Sequence, residues 1–292
     1  MFTVEDRQHL VLEHAGSIAG MFTLSPYVWQ GNGRHQMLLR AVNHAEQESD
    51  KISRIYPGES TDGLRFAMTH TTAIAAGPDA DDKDGAEDPT VVPDGDGLTV
   101  FYSGWNQQEE QGKLLVARGP DPLHLNKDGI AIPYSERFKN PKEASLAQCP
   151  DGTWRLFFEY AAGGASHVGV ATAPSLLGPW DPQPDAFTTR ASQWDSWHLS
   201  PGPILPSEPE RPLMFYNGAD REGVWRVGWI TFDPSLTTVM DRGTDPVFIP
   251  PPPESGFRDA AFVSSAVEVD GAIWLYYSEA DKDMVRLTLH KL

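Results

Sequence analysis

Five strand-like cores recur along the chain, and their spacing restricts the fold more than any other feature. They are MLLRAV from Met37, VFYSGW from Val100, LFFEYA from Leu156, MFYNGA from Met214 and LYYSEA from Leu275. Their second residues fall at 38, 101, 157, 215 and 276, so successive intervals are 63, 56, 58 and 61 residues. A period of this size marks a repeat architecture in which each unit buries its apolar surface against the next. Turn formers precede four of the cores, at Gly31-Asn32-Gly33, Asp96-Gly97, Asp151-Gly152 and Asp270-Gly271, as expected where a hairpin needs positive φ. SEPERP, from Ser207, takes their place before the fourth. After each core a polar stretch leads to a further strand, such as KLLVARG or VWRVGWITF. Three or four strands per unit, five units and no long helical periodicity predict an all-β chain, a five-bladed β-propeller in which residues 1–292 form a single domain.

Composition agrees with many short strands: 9 Trp, 8 Tyr and 13 Phe stand beside 26 Gly and 25 Pro. The formal charge of −18, with no Lys/Arg cluster, offers no face to a phosphate backbone, so nucleic acid is not an expected partner. No apolar run approaches the roughly 18 residues of a membrane span, and the start MFTVEDRQHL lacks the basic segment and apolar core of a signal peptide. The chain therefore reads as soluble and cytoplasmic, without a membrane partner. A lone Cys149 excludes an internal disulfide, which fits a reducing compartment. The nine His form no H-E-x-x-H, and neither phosphate-cradling glycine motif is present, so no metal or cofactor is expected.

In a propeller the innermost strands converge on one central funnel. Counting back nine positions from Gly97, Gly152 and Gly271 gives Asp88, Glu143 and Phe262, two carboxylates in three comparable places. The fourth residues of the cores are Arg40, Ser103, Glu159, Asn217 and Ser278. Arg40 and Glu159 are out of place on a strand interior unless they face a wet cavity. Blander roles exist for both carboxylates: Asp88 before Pro89 can open a turn, and Glu159 can pair with Arg40 or Arg155 as a buried ion pair. A repeat partner at Glu143 weighs towards a site. Carboxylates in a funnel with Trp105, Tyr160 and Trp197 as an aromatic rim suit an oligosaccharide substrate. Glycoside cleavage needs one protonated carboxyl for the leaving oxygen and one ionised carboxyl to activate water or attack carbon.

The segments LLRAV, STDGLRF, GAEDPTVV, NPKEASL, WHLSPGPIL, FYNGAD and LYYSEAD resemble, in this order, the landmarks of glycoside hydrolase family 130. Its members are five-bladed propellers that phosphorolyse or hydrolyse β-mannosides, and the resemblance runs from about residue 20 to the end. It implies that Asp88 of the E-D-P motif is the proton donor, directly or through a sugar hydroxyl, and that Arg40 and Asp281 hold the sugar in the cleaved subsite. Phosphorolytic members continue E-D-P with Arg and gather cations around phosphate. Here Thr90, Glu159 and Asn217 stand where Arg, Arg and His are expected, His198 falls near the usual Lys, and Lys142 is the one cation retained. Hydrolytic relatives place a glutamate at the position of Glu159.

The expectation is an inverting hydrolase of a β-mannoside or related β-linked oligosaccharide. Asp88 is the acid, Glu159 the base and Glu143 the second candidate base, with Arg40, Lys142, His198, Asn217, Asp281, Trp105 and Tyr160 around the sugar. Three alternatives stay open: a phosphorylase, which phosphate dependence distinguishes; a glycosidase resembling the arabinanase and invertase class, with its acid on Glu143; and a sugar-binding propeller without turnover.

Overall fold

Each of the five cores is a β-strand in the computed structural model, which describes residues 2–14, 16, 18–95, 97–205 and 208–292. These strands span Arg34–Val42, Gly97–Asn106, Trp154–Ala162, Leu213–Ala219 and Ala272–Glu279. Each lies second in an antiparallel meander, between an inner strand that precedes it and a third strand that follows. The inner strands are Phe22–Gly31, Gly85–Asp94, Lys139–Gln148 and Ala261–Val269; in the fourth unit two short pieces, His198–Ser200 and Ile204–Leu205, take this place. The chain is all-β. Among the described residues the only helical elements are two three-residue turns, Glu48–Asp50 and Ala80–Asp82, and no helix is long and apolar enough to cross a membrane.

The strands assemble into four sheets, of which the nine-stranded one contains two meanders joined where Ser53 faces Gly85 in parallel. The fifth meander is completed from the opposite end of the chain. Strand Phe2–His9 pairs antiparallel with Asp283–Lys291, Val4 facing Leu289.

The turns that precede the cores follow from their residues. Gly31 faces Arg34 and Val269 faces Ala272 across two-residue loops, Asn32-Gly33 and Asp270-Gly271, with φ of 52° and 71° and of 50° and 83°. Positive φ at both positions matches the right-handed twist of the flanking strands. In the second unit Asp94 faces Gly97, so the loop residues are Gly95 and Asp96 rather than Asp96 and Gly97, and Asp96 lies outside the described residues. Ser207, at the head of SEPERP, also lies outside them.

Why the cores read as continuous apolar runs becomes clear from their packing. Successive side chains of a strand point to opposite faces, and here both faces are covered. Leu38 packs with Ala86, Val100 and Tyr102 of the second unit, whereas its neighbour Leu39 packs with Val267 and Tyr276 of the fifth. The same holds elsewhere: Phe101 meets Leu156 and Phe158, Phe157 meets Met214 and Tyr216, and Phe215 meets Val263 and Leu275. Five apolar clusters thus join first to second, second to third, third to fourth, fourth to fifth and fifth to first units. Each large side chain fully withdrawn from water contributes about 1.5–3 kcal/mol.

Candidate active site

The inner strands are interrupted where they approach one another. In the second unit Glu87 faces Ser103 but Thr90 faces Phe101, so Asp88 and Pro89 together oppose one residue. Lys142 faces Glu159 while Ser145 faces Phe157, which leaves Glu143 and Ala144 as the bulged pair of the third unit. Ser25 and Pro26 form the corresponding bulge in the first. Proline has no N–H to offer the ladder and is tolerated at such sites. Ser25, Asp88 and Glu143 take left-handed backbone, φ 50°, 47° and 52°. Non-glycine residues in this region cost on the order of 1–3 kcal/mol and cluster at functional sites. Each bulge turns its side chain out of the pleat and into a shared cavity of about 990 Å³.

In the fifth unit the irregularity falls between Val263 and Ser265, and Phe262 faces Ser278. Phe262 is therefore the counterpart of Glu87 and Lys142, one place before the bulge, and not of Asp88 and Glu143. Counting from the turn misplaces it because the anchor glycines are not equivalent: Gly97 is the first residue past its loop, paired with Asp94, whereas Gly271 lies inside the Asp270-Gly271 loop and Ala272 is the counterpart of Gly97.

Asp88 is almost completely buried at 4% exposure, yet well supplied with donors. Ser25 Oγ donates to its Oδ1 at 2.7 Å and Arg40 Nη1 at 3.1 Å. Arg40 also reaches Glu87 Oε1 at 2.8 Å, and Ser53 Oγ donates to the same oxygen at 2.8 Å. Burial favours the neutral acid, but Arg40, Lys142 and the Ser25 hydroxyl outweigh it and hold Asp88 below the usual aspartate range. Glu143 goes the other way. Burial and the adjacent charge of Asp88 raise it well above the usual glutamate range, and its carboxyl hydrogen-bonds that of Asp88. Two carboxyl groups in contact hold one proton between them, and it resides on the Glu143 side.

The third carboxylate is Glu159, 5% exposed and lining the same cavity. Its Oε1 lies 3.4 Å from Lys142 Nζ and accepts from Ser166 Oγ at 2.9 Å. Neither Arg40 nor Arg155 is its partner: Arg155 donates to Thr153 and Thr172. Glu159, foremost, and then Glu143 and Asp88 raise Lys142 above the ordinary lysine range despite burial. Ser166 also donates its backbone N–H to His198 Nδ1 at 3.0 Å, which leaves the proton of the neutral ring on Nε2. Burial, with Lys142 nearby, keeps that imidazole neutral by lowering its pKa.

Of the residues singled out in the sequence, Asp88, Glu143, Glu159, Arg40, Lys142, His198 and Asp281 come together around this cavity. Four do not line it. Asn217 is fully buried and ties the core strand of the fourth unit to the inner strand of the fifth, accepting from Val263 N at 2.7 Å and donating to Val263 O at 3.1 Å. Tyr160 follows Glu159 and so points to the other face, where its hydroxyl donates to Asp185 at 2.8 Å. Trp105 lies two residues beyond Ser103 and bonds Gln107. Trp197 carries the Arg221 guanidinium 3.8 Å above its ring. The aromatic wall is made instead by Trp225, stacked on His198 with centroids 5.4 Å apart, and by Phe262, 5.3 Å from Trp225. Trp225 stands at the start of the third strand of its unit, Trp225–Phe232, a position that strand-core alignment does not inspect. Thr90 stays out of the cavity as well; its hydroxyl donates to Ala144 O at 2.6 Å and ties the second inner strand to the third.

The fold recurs in solved structures. A β-1,2-mannobiose phosphorylase from Listeria innocua, in complex with β-1,2-mannobiose, superposes with a TM-score of 0.78 at 18% identity, over 97% of this chain and 90% of that one. A member of GH130, a family of mannoside phosphorylases containing glycoside hydrolases that target β-1,2-mannosidic linkages in Candida mannan, gives 0.77 at 20% identity over 98% and 94%. This chain has the fold of glycoside hydrolase family 130. A mannose phosphorylase from Leishmania mexicana, solved with a phosphate ion, shares that GH130 fold at a TM-score of 0.72 and 15% identity, over 98% of this chain and 88% of the other. No family model and no curated protein matches the sequence.

Proposed function

We propose that this protein is a five-bladed β-propeller that hydrolyses a β-mannoside or related β-linked oligosaccharide with inversion. The five apolar clusters, the last joining the fifth unit to the first, support the propeller reading. The observation that carries the hydrolytic reading is the Lys142–Glu159 pair. A phosphorylase must hold a dianion beside the anomeric carbon, and guanidinium forks do this best. Three of the cations lining this cavity already face carboxylates: Lys142 faces Glu159, Arg40 faces Glu87 and Asp88, and Arg258 lies 4.0 Å from Asp281.

In the proposed reaction Asp88 delivers a proton to the glycosidic oxygen and is resupplied by Glu143, which hydrogen-bonds it. Asp88 alone is held ionised in the free protein and so cannot be the store of that proton. Glu159 takes a proton from the attacking water as its oxygen bonds the anomeric carbon and the leaving oxygen departs. Arg40, Asp281 and the Nε2–H of His198 orient the sugar. Lys142 balances Glu159 and lowers the cost of a carboxylate in a buried wall. Cys149, buried and unpaired, fits a cytoplasmic location.

Phosphorolysis is the second reading, favoured by the Listeria and Leishmania neighbours. The experiment is proton NMR of β-1,2-mannobiose cleavage. Inverting hydrolysis releases α-mannose first, before mutarotation; initial β-mannose, or no cleavage of any β-mannoside, would contradict the proposal.

A further inference from the structure

Six of the nine tryptophans pack in or against the apolar clusters; Trp105, Trp197 and Trp225 do not. Among these three, Trp225 alone lines the cavity. A large apolar ring kept out of the core and held against a polar cavity offers surface to a ligand.

Its backbone is held on both sides. Trp225 N donates to Asp259 O at 3.1 Å, and its carbonyl accepts from Arg226 Nη1 at 2.8 Å. The same guanidinium grips both carboxylate oxygens of Asp259 at 2.8 Å each, a fork that fixes geometry as well as charge. Trp225 also bridges Ala260 in parallel, so the fourth and fifth units are laced together at this residue. The loop leading in is shaped by Asp220 Oδ1, which accepts from Glu222 N and Val224 N at 3.1 Å each. The ring itself is supported by His198, stacked on it at 5.4 Å, and by Phe262, tilted against it at 5.3 Å. Such fixing lowers the entropy lost on binding.

Position gives the role. From the carboxylates, contact runs from Glu159 to Ser166, from Ser166 to His198 and from His198 to Trp225. Trp225 is thus removed from the reacting centre, on the Glu159 side of a cavity roomy enough for more than one sugar.

We infer that Trp225 is a specificity-determining platform that stacks on a sugar ring of the oligosaccharide beyond the one held by Arg40 and Asp88, with the Arg226–Asp259 fork as its positioning clamp. The inference rests on the carbohydrate reading above. It predicts a preference for longer chains, since Trp225 is linked to Glu159 only through Ser166 and His198.

The test is calorimetric binding of mannose and of sulfur-linked β-1,2-mannobiose and β-1,2-mannotriose, which resist hydrolysis, to the wild type, Trp225→Ala and Trp225→Phe. Trp225→Ala should weaken the longer analogues by about 10-fold, the upper range for aromatic stacking. Mannose binding and the melting temperature should stay unchanged, and Trp225→Phe should restore most of the loss. Equal binding of mannotriose by wild type and Trp225→Ala overturns the platform alone, as does an equal loss for mannose and mannotriose. Failure of the wild type to bind any of the three overturns the carbohydrate reading, and the platform with it.

Discussion

Asp88 and Glu143 occupy the same place in successive units, each in left-handed backbone at a bulge, and their carboxyl groups hydrogen-bond each other. Glu143 holds its proton more tightly in the folded chain than in the unfolded one. The folded state therefore binds the extra proton above pH 4.5, and this contribution to stability is lost as pH rises from there through the raised pKa. Asp88 runs the other way: its contribution is present above pH 3.8 and lost as pH falls below that value. Glu143→Gln, which needs no proton to stay neutral, should accordingly gain stability relative to the wild type between about pH 5 and pH 8. Melting curves at both pH values check this; a difference independent of pH would contradict it.

Asp88→Asn should fold and lose cleavage of unactivated glycosides by about 10²–10⁴-fold, the usual worth of general acid catalysis. Asparagine can still accept from Ser25 and Arg40, so the melting temperature should change little. Comparing an alkyl with a 4-nitrophenyl β-mannoside is the decisive measurement. The nitrophenolate leaves without protonation, and a variant equally impaired on both is not missing an acid.

Glu159→Gln should remove most turnover, about 10²-fold or more, while leaving sugar binding within a few-fold. Glutamine keeps the bond from Ser166 Oγ but cannot take a proton from water. Unchanged turnover would pass the role of base to another group.

Stability away from the chemistry has its own test. Asp195 is fully buried, with Arg190 Nη2 at 2.9 Å, Arg242 Nη2 at 2.6 Å and the Tyr216 hydroxyl at 2.7 Å. Asp195→Ala leaves two guanidinium groups facing each other and should cost about 3–5 kcal/mol. Denaturant unfolding measures this, and a loss below about 1 kcal/mol would show that the cluster relaxes freely.

The five cores and the carboxylates were legible in the sequence for one physical reason. A strand buried on both faces must be apolar throughout, so Arg40 and Glu159 stand out where they interrupt it. Asp88 and Glu143 were legible because each lies nine residues before a turn glycine, Gly97 and Gly152. That count failed at Phe262 because Gly271 sits inside its two-residue loop while Gly97 sits just past its own, and nothing in the local sequence announces where a turn glycine stands relative to the strand. Asn217 obeyed the same periodicity as Glu159 but faces a fourth unit whose inner strand is broken after Ser200, and there its side chain replaces missing ladder bonds. The aromatic wall was the least legible feature. Trp225 and Trp105 are both strand-end tryptophans, and only the tertiary contact with His198 turns one of them into the cavity.

Product analysis in millimolar phosphate tests the central claim most directly. β-1,2-Mannobiose is incubated with the protein with and without inorganic phosphate, and the sugar products are separated. With Glu159 beside Lys142, and with Thr90 and Asn217 committed to backbone carbonyls, hydrolysis gives free mannose at a rate that phosphate does not raise. Mannose 1-phosphate as the main product, formed only when phosphate is present, would contradict it.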